Sequence, residues 1–435
     1  VTNLERARQA VTLAVELGAG DFAVCAGSRN SPLLAVLGAS TGLRLYAFVD
    51  ERSAAFFALG RAKRDGRPVA VVTTSGTAVA ELLPAAIEAY YSGTPLLFIT
   101  ADRPARFRGT GAPQCIDQQS LFGCHAATEA ASWNGRMALH LNVEFDEPLI
   151  DEPLGPDSGV HVTGSLAART RGEDGRTPGE PVTLPARPLV IIGALRPSDR
   201  NPVRDFLLRL GAPVYAEPLS GLRDDPALRE QLIVGGERMI GRAAFDGVIR
   251  IGNVPTLRFW RDLEESRREL PVVHFSDLPF PGLTRGEVHP LEVLRAIETA
   301  PHPPDELFFA NDRLMATAIG ALLEKEPRAE LALLRSLSLQ LPSDTRLYLG
   351  NSLPIREWDL VAARGQRLEV EANRGANGID GQLSTFFGQC DPAATNVAVL
   401  GDLTTIYDLN APWIVRQLDP AIRFTIVVVN NGGGR

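Results

Sequence analysis

One alternation recurs along this chain and limits its fold more than any other feature: a short run of β-branched and apolar residues, a turn of Gly, Ser, Asp or Asn, then a helical stretch. Strands that feed helices through tight turns and return to further strands make parallel sheets covered by helices. In the first third, residues 22–25 lead into Gly27-Ser28-Arg29, 45–49 into Asp50-Glu51, 69–74 into Ser75-Gly76-Thr77, and 96–100 into Asp102-Arg103-Pro104. The last third repeats the plan. There, 347–349 precede Gly350-Asn351-Ser352, 368–371 precede Asn373-Arg374-Gly375, 397–400 precede Gly401-Asp402, and 424–429 precede Asn430-Asn431. Each turn falls where an α/β sheet presents its binding edge.

At 435 residues the chain is too long for one ordinary domain. Residues 151–187, rich in Pro, Gly, Asp and Arg without apolar periodicity, read as a linker or exposed excursion. Beyond it, 189–216 and 247–275 each spell strand, turn, helix and strand, and a helical stretch follows over 311–341. The expectation is three consecutive α/β domains with mainly parallel sheets, at 1–150, 188–300 and 301–435. The last run ends on a strand and a Gly-rich turn, so that domain is expected to continue past Arg435.

Several function classes are set aside by what the chain contains. With a net charge of −8 and no basic block, a nucleic acid is not the expected partner. Cys25, Cys115, Cys124 and Cys390 form no CxxC pair, which argues against disulfides and structural zinc and for a reducing compartment. Residues 1–18 read as an amphipathic helix rather than a signal peptide, and no apolar run approaches the roughly 20 residues of a membrane span. The expected location is the cytoplasm.

Two constellations carry chemistry. Gly401-Asp402 at one strand end, followed about 28 residues later by Asn430-Asn431-Gly432-Gly433 at another, brings a carboxylate and an amide oxygen together. Such a pair suits a hard cation bridging a diphosphate, with glycines that let the backbone approach the phosphates. Taken singly, the two halves are an ordinary helix N-cap and an Asn-Gly turn. The second constellation is Asp50-Glu51 at the start of a small-residue helix. Alone, a glutamate there is a solvated charge favoured by the helix dipole.

Together these resemble thiamine-diphosphate enzymes, and the local strings resemble one family among them, the 2-succinyl-5-enolpyruvyl-6-hydroxy-3-cyclohexene-1-carboxylate synthases. The strings are AGSRNSP (26–32), DERSAAFFALG (50–60), TTSGTAVAELLPA (73–85), TADRP (100–104), GAPQCIDQQSLFG (111–123), GNSLPIRE (350–357), NRGANGIDG (373–381), GDLTTIYDLN (401–410) and VVVNNGGG (427–434). The sequence departs from the family's usual pattern at Ala26, Pro113, Leu257 and Gly432.

The resemblance implies a pyrimidine-binding domain, a central domain and a diphosphate-binding domain. It implies thiamine diphosphate with Mg2+ or Mn2+ as cofactors, and the substrates 2-oxoglutarate, which is decarboxylated, and isochorismate, which receives the remaining four-carbon unit in menaquinone biosynthesis. Glu51 becomes the cofactor-activating acid, with Gln114 beside it in the chemistry. Asp402, Asn431 and the Gly433 carbonyl become metal ligands, Gly401 a cofactor contact, and Ile379 the apolar prop beneath the cofactor. Ser28, Arg29, Arg103, Arg258, Ser352, Arg356 and Arg374 match substrate-facing positions, as two dicarboxylate substrates require. A homo-oligomer, dimer or tetramer, with shared active sites is implied as well. An acetolactate synthase-like enzyme is the alternative on the same cofactor, and a non-catalytic nucleotide-binding protein the alternative without it, although no GxGxxG follows the first strand.

Overall fold

The computed structural model describes residues 1–155, 158–163, 182–303 and 305–434. Much of the expected linker, residues 156–157 and 164–181, lies outside the described residues, as does Arg435. The first third runs α1 (Asn3–Glu16), β1 (Asp21–Cys25), α2 (Ser31–Ala39), β2 (Arg44–Phe48), α3 (Glu51–Asp65), β3 (Val69–Thr73), α4 (Thr77–Ala80), α5 (Leu83–Ser92), β4 (Leu96–Asp102), β5 (Ala126–Ala127) and β6 (Ala138–Glu144). The middle follows with β7 (Pro188–Ile192), α6 (Pro197–Leu210), β8 (Val214–Ala216), β9 (Gly247–Ile251), α7 (Arg258–Glu265), β10 (Val272–Phe275) and β11 (Val288–His289). The last third holds α8 (Glu306–Lys325), α9 (Glu330–Gln340), β12 (Thr345–Leu349), α10 (Leu353–Val361), β13 (Glu369–Glu371), α11 (Gln382–Gln389), β14 (Thr395–Gly401), α12 (Asp402–Tyr407) and β15 (Arg423–Val429). The helical stretch read over 311–341 is two helices, α8 and α9, because Pro327 has no amide hydrogen to give and biases Glu326 away from helical backbone.

Three sheets form, in the orders β2-β1-β3-β4-β6-β5, β11-β10-β9-β7-β8 and β13-β12-β14-β15. Every pairing within them is parallel. By their internal contacts the residues fall into two compact units, one of Val1–Gly175, Asn373–Pro392 and Leu403–Ile422, the other of Arg176–Ala372, Ala393–Asp402 and Arg423–Arg435. The six-stranded sheet belongs to the first unit and the other two sheets to the second.

In the first unit, α1 turns Leu4, Ala7, Val11 and Ala14 inward at helical spacing, and together with Leu33, Val36 and Leu37 of α2 they pack on Phe22, Ala70, Val72, Leu97 and Ile99 of the sheet. The opposite face carries α3, whose residues from 53 to 62 are all buried. A helix buried all round has a neighbour on each side, here the sheet on one and α11 on the other. That second crossing is close enough to require glycine. A Cβ on Gly60 would collide with the Thr385 carbonyl, and one on Gly388 with the Phe57 carbonyl. The one charged group inside this stretch, Arg61, donates to Asp21 Oδ2 from Nε at 2.8 Å and Nη2 at 2.5 Å, while Arg44 Nε takes Oδ1 at 2.6 Å, so the buried guanidinium is paired.

In the second unit the five-stranded sheet alternates its side chains between two cores. Val190, Ile192, Ile249 and Ile251 meet Val203, Phe206 and Leu210 of α6, while Leu189, Ile191 and Val248 meet Phe259, Trp260 and Leu263 of α7. The four-stranded sheet sets Leu347, Leu349, Val397 and Val399 against Leu334 of α9 and Ile355, Trp358 and Val361 of α10.

Because the atoms met at the α3–α11 crossing are backbone, they cannot swing aside. Gly60→Ala should therefore lower stability by about 1–3 kcal/mol despite the better helix propensity of alanine, measured by denaturant unfolding. An unchanged midpoint would contradict the crossing.

Candidate active site

The carboxyl ends of β1 to β4 in the first unit carry one group of expected site residues. After β1, Asn30 fixes the turn by accepting from Gly27 N at 2.9 Å and donating to the Cys25 carbonyl at 2.9 Å. Gly27 lies so near Thr74 that a Cβ there would meet the Thr74 side chain, which brings the β1 and β3 turns together. Ser28 is exposed on this turn. Arg29 is buried, donating to the Phe145 carbonyl at 3.1 Å and to Glu147 Oε1 at 3.3 Å, so the guanidinium expected to face a substrate is a tie to the loop after β6.

After β2, Asp50 caps α3 by accepting from Ser53 N at 3.0 Å, and Glu51 takes the first helical position. The Glu51 carboxyl is half-buried. Burial holds its pKa above the ordinary glutamate value, against the pull of its own backbone amide, and the charges of Asp50 and Glu81 raise it further. The Cys25 thiol is raised as well, by burial and then by Glu51 and Asp50, and so stays protonated rather than nucleophilic.

After β3, the hydroxyls of Thr74 and Ser75 are buried and have no hydrogen-bond partner among the described residues. Gly76 follows with φ 81°, in the left-handed region, and a Cβ there would lie 2.9 Å from the Cα of Gln114, itself at φ 55°. The Gln114 turn is thereby held against the β3 turn. Arg103, after β4, donates from Nε to the Pro113 carbonyl at 2.9 Å and stacks on Phe107 at 5.5 Å, which anchors it beside the same turn.

Two further residues in this unit organise the edge. Gln118, fully buried, accepts from Gly76 N at 3.1 Å and donates to the Ala101 carbonyl at 2.9 Å and to Asn142 Oδ1 at 2.7 Å. Glu88, 2% exposed on α5, accepts from the amides of Gly375 at 2.9 Å and Ala376 at 2.7 Å, with Lys63 at 3.7 Å. It thus pins the loop that bears Arg374 and Ile379, the latter 37% exposed. Neither was singled out from sequence, although a glutamate amid the apolar AAIEAYY of α5 was a signal to look for its partner.

In the second unit, Ser352 and Arg356 are both exposed and stand one turn apart at the start of α10, with Ser352 in the left-handed region at φ 71°. The pairing Gly401↔Val429 sets the turn after β14 beside the turn after β15. Across it, Asp402 Oδ2 accepts from Gly433 N at 2.9 Å, while Asn430 and Asn431 accept from Gly432 N at 3.1 Å and Gly434 N at 3.3 Å. Gly432 and Gly433 have φ of 84° and 96°, which side-chain-bearing residues resist. The turn therefore gathers a carboxylate and side-chain amide oxygens on adjacent strand ends. Arg258 is exposed where α7 begins, after β9 of the five-stranded sheet, whereas the other expected residues of this unit follow strands of the four-stranded sheet.

Comparison with known proteins extends the geometry. Residues 6–121 match the family described as thiamine pyrophosphate enzyme, N-terminal TPP binding domain. The 2-succinyl-5-enolpyruvyl-6-hydroxy-3-cyclohexene-1-carboxylate synthase of Bdellovibrio bacteriovorus is 42% identical over 469 residues, covering 100% of this chain and 86% of that protein. The synthase of the same name from Akkermansia muciniphila is 40% identical, with coverages of 96% and 81%, and that of Halobacterium salinarum 34% identical, with 94% and 80%.

Glu88 tests the loop architecture. Hydrogen bonds to a charged acceptor contribute about 1.5–3 kcal/mol, so Glu88→Gln, which offers one oxygen where there were two, should raise amide exchange at Gly375 and Ala376 about tenfold or more. Hydrogen exchange read by mass spectrometry checks this, and unchanged protection would mean that another group holds the loop.

Proposed function

Since this chain belongs to the 2-succinyl-5-enolpyruvyl-6-hydroxy-3-cyclohexene-1-carboxylate synthase family of thiamine-diphosphate enzymes, we propose how its own residues divide the work. The reaction is the family's: a transferase of menaquinone biosynthesis decarboxylates 2-oxoglutarate and adds the remaining four-carbon unit to isochorismate. Thiamine diphosphate supplies the electron sink for loss of carbon dioxide. No nucleophilic side chain is needed, and the site's task is to bind, orient and handle protons.

The observation that carries the assignment of roles is the Glu51 carboxyl, half-buried with a raised pKa on the sheet edge that also holds the buried hydroxyls of Thr74 and Ser75, which have no partner among the described residues. A carboxyl that keeps its proton to higher pH than a solvated glutamate suits the acid assigned to the pyrimidine ring nitrogen. The oxygen donors after β14 and β15 suit a hard divalent cation and a diphosphate. Asp402, Asn431 and the Gly433 carbonyl would hold Mg2+ or Mn2+, with Gly401 alongside. Ile379 is the apolar prop for the cofactor, and Gln114 orients the reacting groups beside it. Arg103, Arg258, Arg356 and Arg374, with Ser28 and Ser352, bind the carboxylates of the two substrates. Arg29 supports this set by fastening the loop after β6.

The same reading has three domains, at 1–150, 188–300 and 301–435, with 151–187 connecting the first two, and a cytoplasmic homo-oligomer, dimer or tetramer, that completes its sites from more than one copy. No helix among the described residues is long and apolar enough to cross a membrane.

Supplied with Mg2+, thiamine diphosphate, 2-oxoglutarate and isochorismate, the protein should form the succinyl adduct, detected by mass spectrometry. Turnover of pyruvate in place of 2-oxoglutarate would instead favour the acetolactate synthase-like alternative. Asp402→Ala removes the charged ligand, so calorimetry should show cofactor affinity that no longer responds to Mg2+. Equal affinity for the unsubstituted protein with and without the metal would rule out that metal site.

Glu51→Gln should keep cofactor binding while lowering kcat by about two orders of magnitude or more, because an amide is far too weak an acid to share a proton with the ring. Hydrogen–deuterium exchange at C2 of the bound cofactor, before any substrate enters, reads the same loss. Wild-type exchange in the Gln variant would remove Glu51 from this role.

A further inference from the structure

We propose that Ser384 and Asp408 are positioning residues for Glu51, acting through Ser53 to fix the first turn of α3. This rests on the role given to Glu51 above. Among the described residues no side chain bonds the Glu51 carboxyl, yet its neighbours in the turn are all anchored, Asp50 and Arg52 directly to residues 407–410 and Ser53 to the same stretch through Ser384. Asp50, besides capping Ser53, accepts through Oδ2 from Asn410 at 2.8 Å. Arg52 donates to the Tyr407 carbonyl at 2.8 Å and lies 4.7 Å above the Tyr407 ring. The Ser53 and Ser384 hydroxyl oxygens are 3.0 Å apart, and Ser384 donates to Asp408 from its amide at 2.7 Å and its hydroxyl at 3.0 Å.

Ser384 stands at the centre of this chain. Its hydroxyl is placed to donate to Ser53 Oγ and to Asp408 Oδ1, each at 3.0 Å, and its amide donates to Asp408 Oδ2, so one side chain links the first turn of α3 to the buried carboxyl. Burial pushes the Asp408 carboxyl up to about 6, so above that pH it only accepts. Asp408, Ser384 and Ser53 are all at most 1% exposed, and a buried ionisable group is costly unless it is hydrogen-bonded, as Asp408 is to Ser384.

The stretch is itself fastened. Gln417 accepts from Ala47 N at 2.7 Å and donates to the Ala47 carbonyl at 2.8 Å, and Trp413 Nε1 donates to the same carbonyl at 3.0 Å. These bonds complete the edge strand β2, whose end leads directly into Asp50. With the strand before it and the residues on either side held, Glu51 is left with little choice of direction, and a misdirected acid of this kind costs rate rather than affinity.

Ser384→Ala tests this, since it deletes one hydroxyl and leaves the helix crossing in place. In the cofactor-free protein, amides of residues 51–54 should exchange faster. In the loaded enzyme kcat should fall about tenfold while KM for both substrates stays within about twofold. In a Glu51→Gln background the same substitution should leave the residual kcat unchanged, because a residue acting through Glu51 has nothing further to remove. A loss of equal size in both backgrounds, or full kcat in Ser384→Ala, overturns the inference while leaving the role of Glu51 standing. A fully active Glu51→Gln overturns that role and the inference with it.

Discussion

Among the described residues every strand pairing within the sheets is parallel, and that constraint shapes the rest. Parallel neighbours cannot be joined by a tight hairpin, so each connection crosses a face of the sheet and each strand ends on the same side as its neighbours. The turns at those ends are where the backbone changes from strand to helix, and where side chains from distant parts of the sequence meet. Glu51, Gly76 and Arg103 share one such edge, and Asp402, Asn431 and Ser352 share another. The residues proposed to carry the chemistry sit on what the sheets cannot avoid creating.

The helix that bears Glu51 shows how packing converts that topology into orientation. Its alanines and Gly60 let it lie between the sheet and α11 at backbone contact, and Arg61 is accommodated only because Asp21 waits at the start of β1. A bulkier helix would be displaced from the sheet, and its first turn with it. Packing in the middle of the helix and hydrogen bonds at its start therefore both fix the place of the turn that carries Glu51.

Much of this was legible in the sequence, for a physical reason. Strand, turn and helix signals are local, so the strand ends and the glycines at 76, 432 and 433 could be read without knowing the fold. The pairing of Asp402 with the Asn430–Gly433 turn was legible because neighbouring parallel strands are separated by one helical crossover. What could not be read was the partner of each buried polar group. Gln118 reaches Gly76 across 42 residues, and Glu88 reaches Gly375 across 287. Arg29 was legible in position but not in direction: nothing near it announces that the carbonyl of Phe145 will claim its guanidinium. Asp408 lay in a string already marked as family-like, yet its burial depends on a helix contact that no local pattern encodes.

The first unit is discontinuous, and this bears on how the protein is made. Ser53 and Ser384 are separated by 331 residues, so the segments that close over α3 are synthesised long after it. Loop closure over such distances is slow, and a nascent chain emerging at about 5–20 residues per second would present the α3 face uncovered for tens of seconds. During that interval its run of Ala, Phe and Gly is an apolar surface without a lid. An uncovered apolar face of this kind favours aggregation, so yield in a foreign host should depend on the speed of translation between α3 and α11 as much as on the stability of the finished fold.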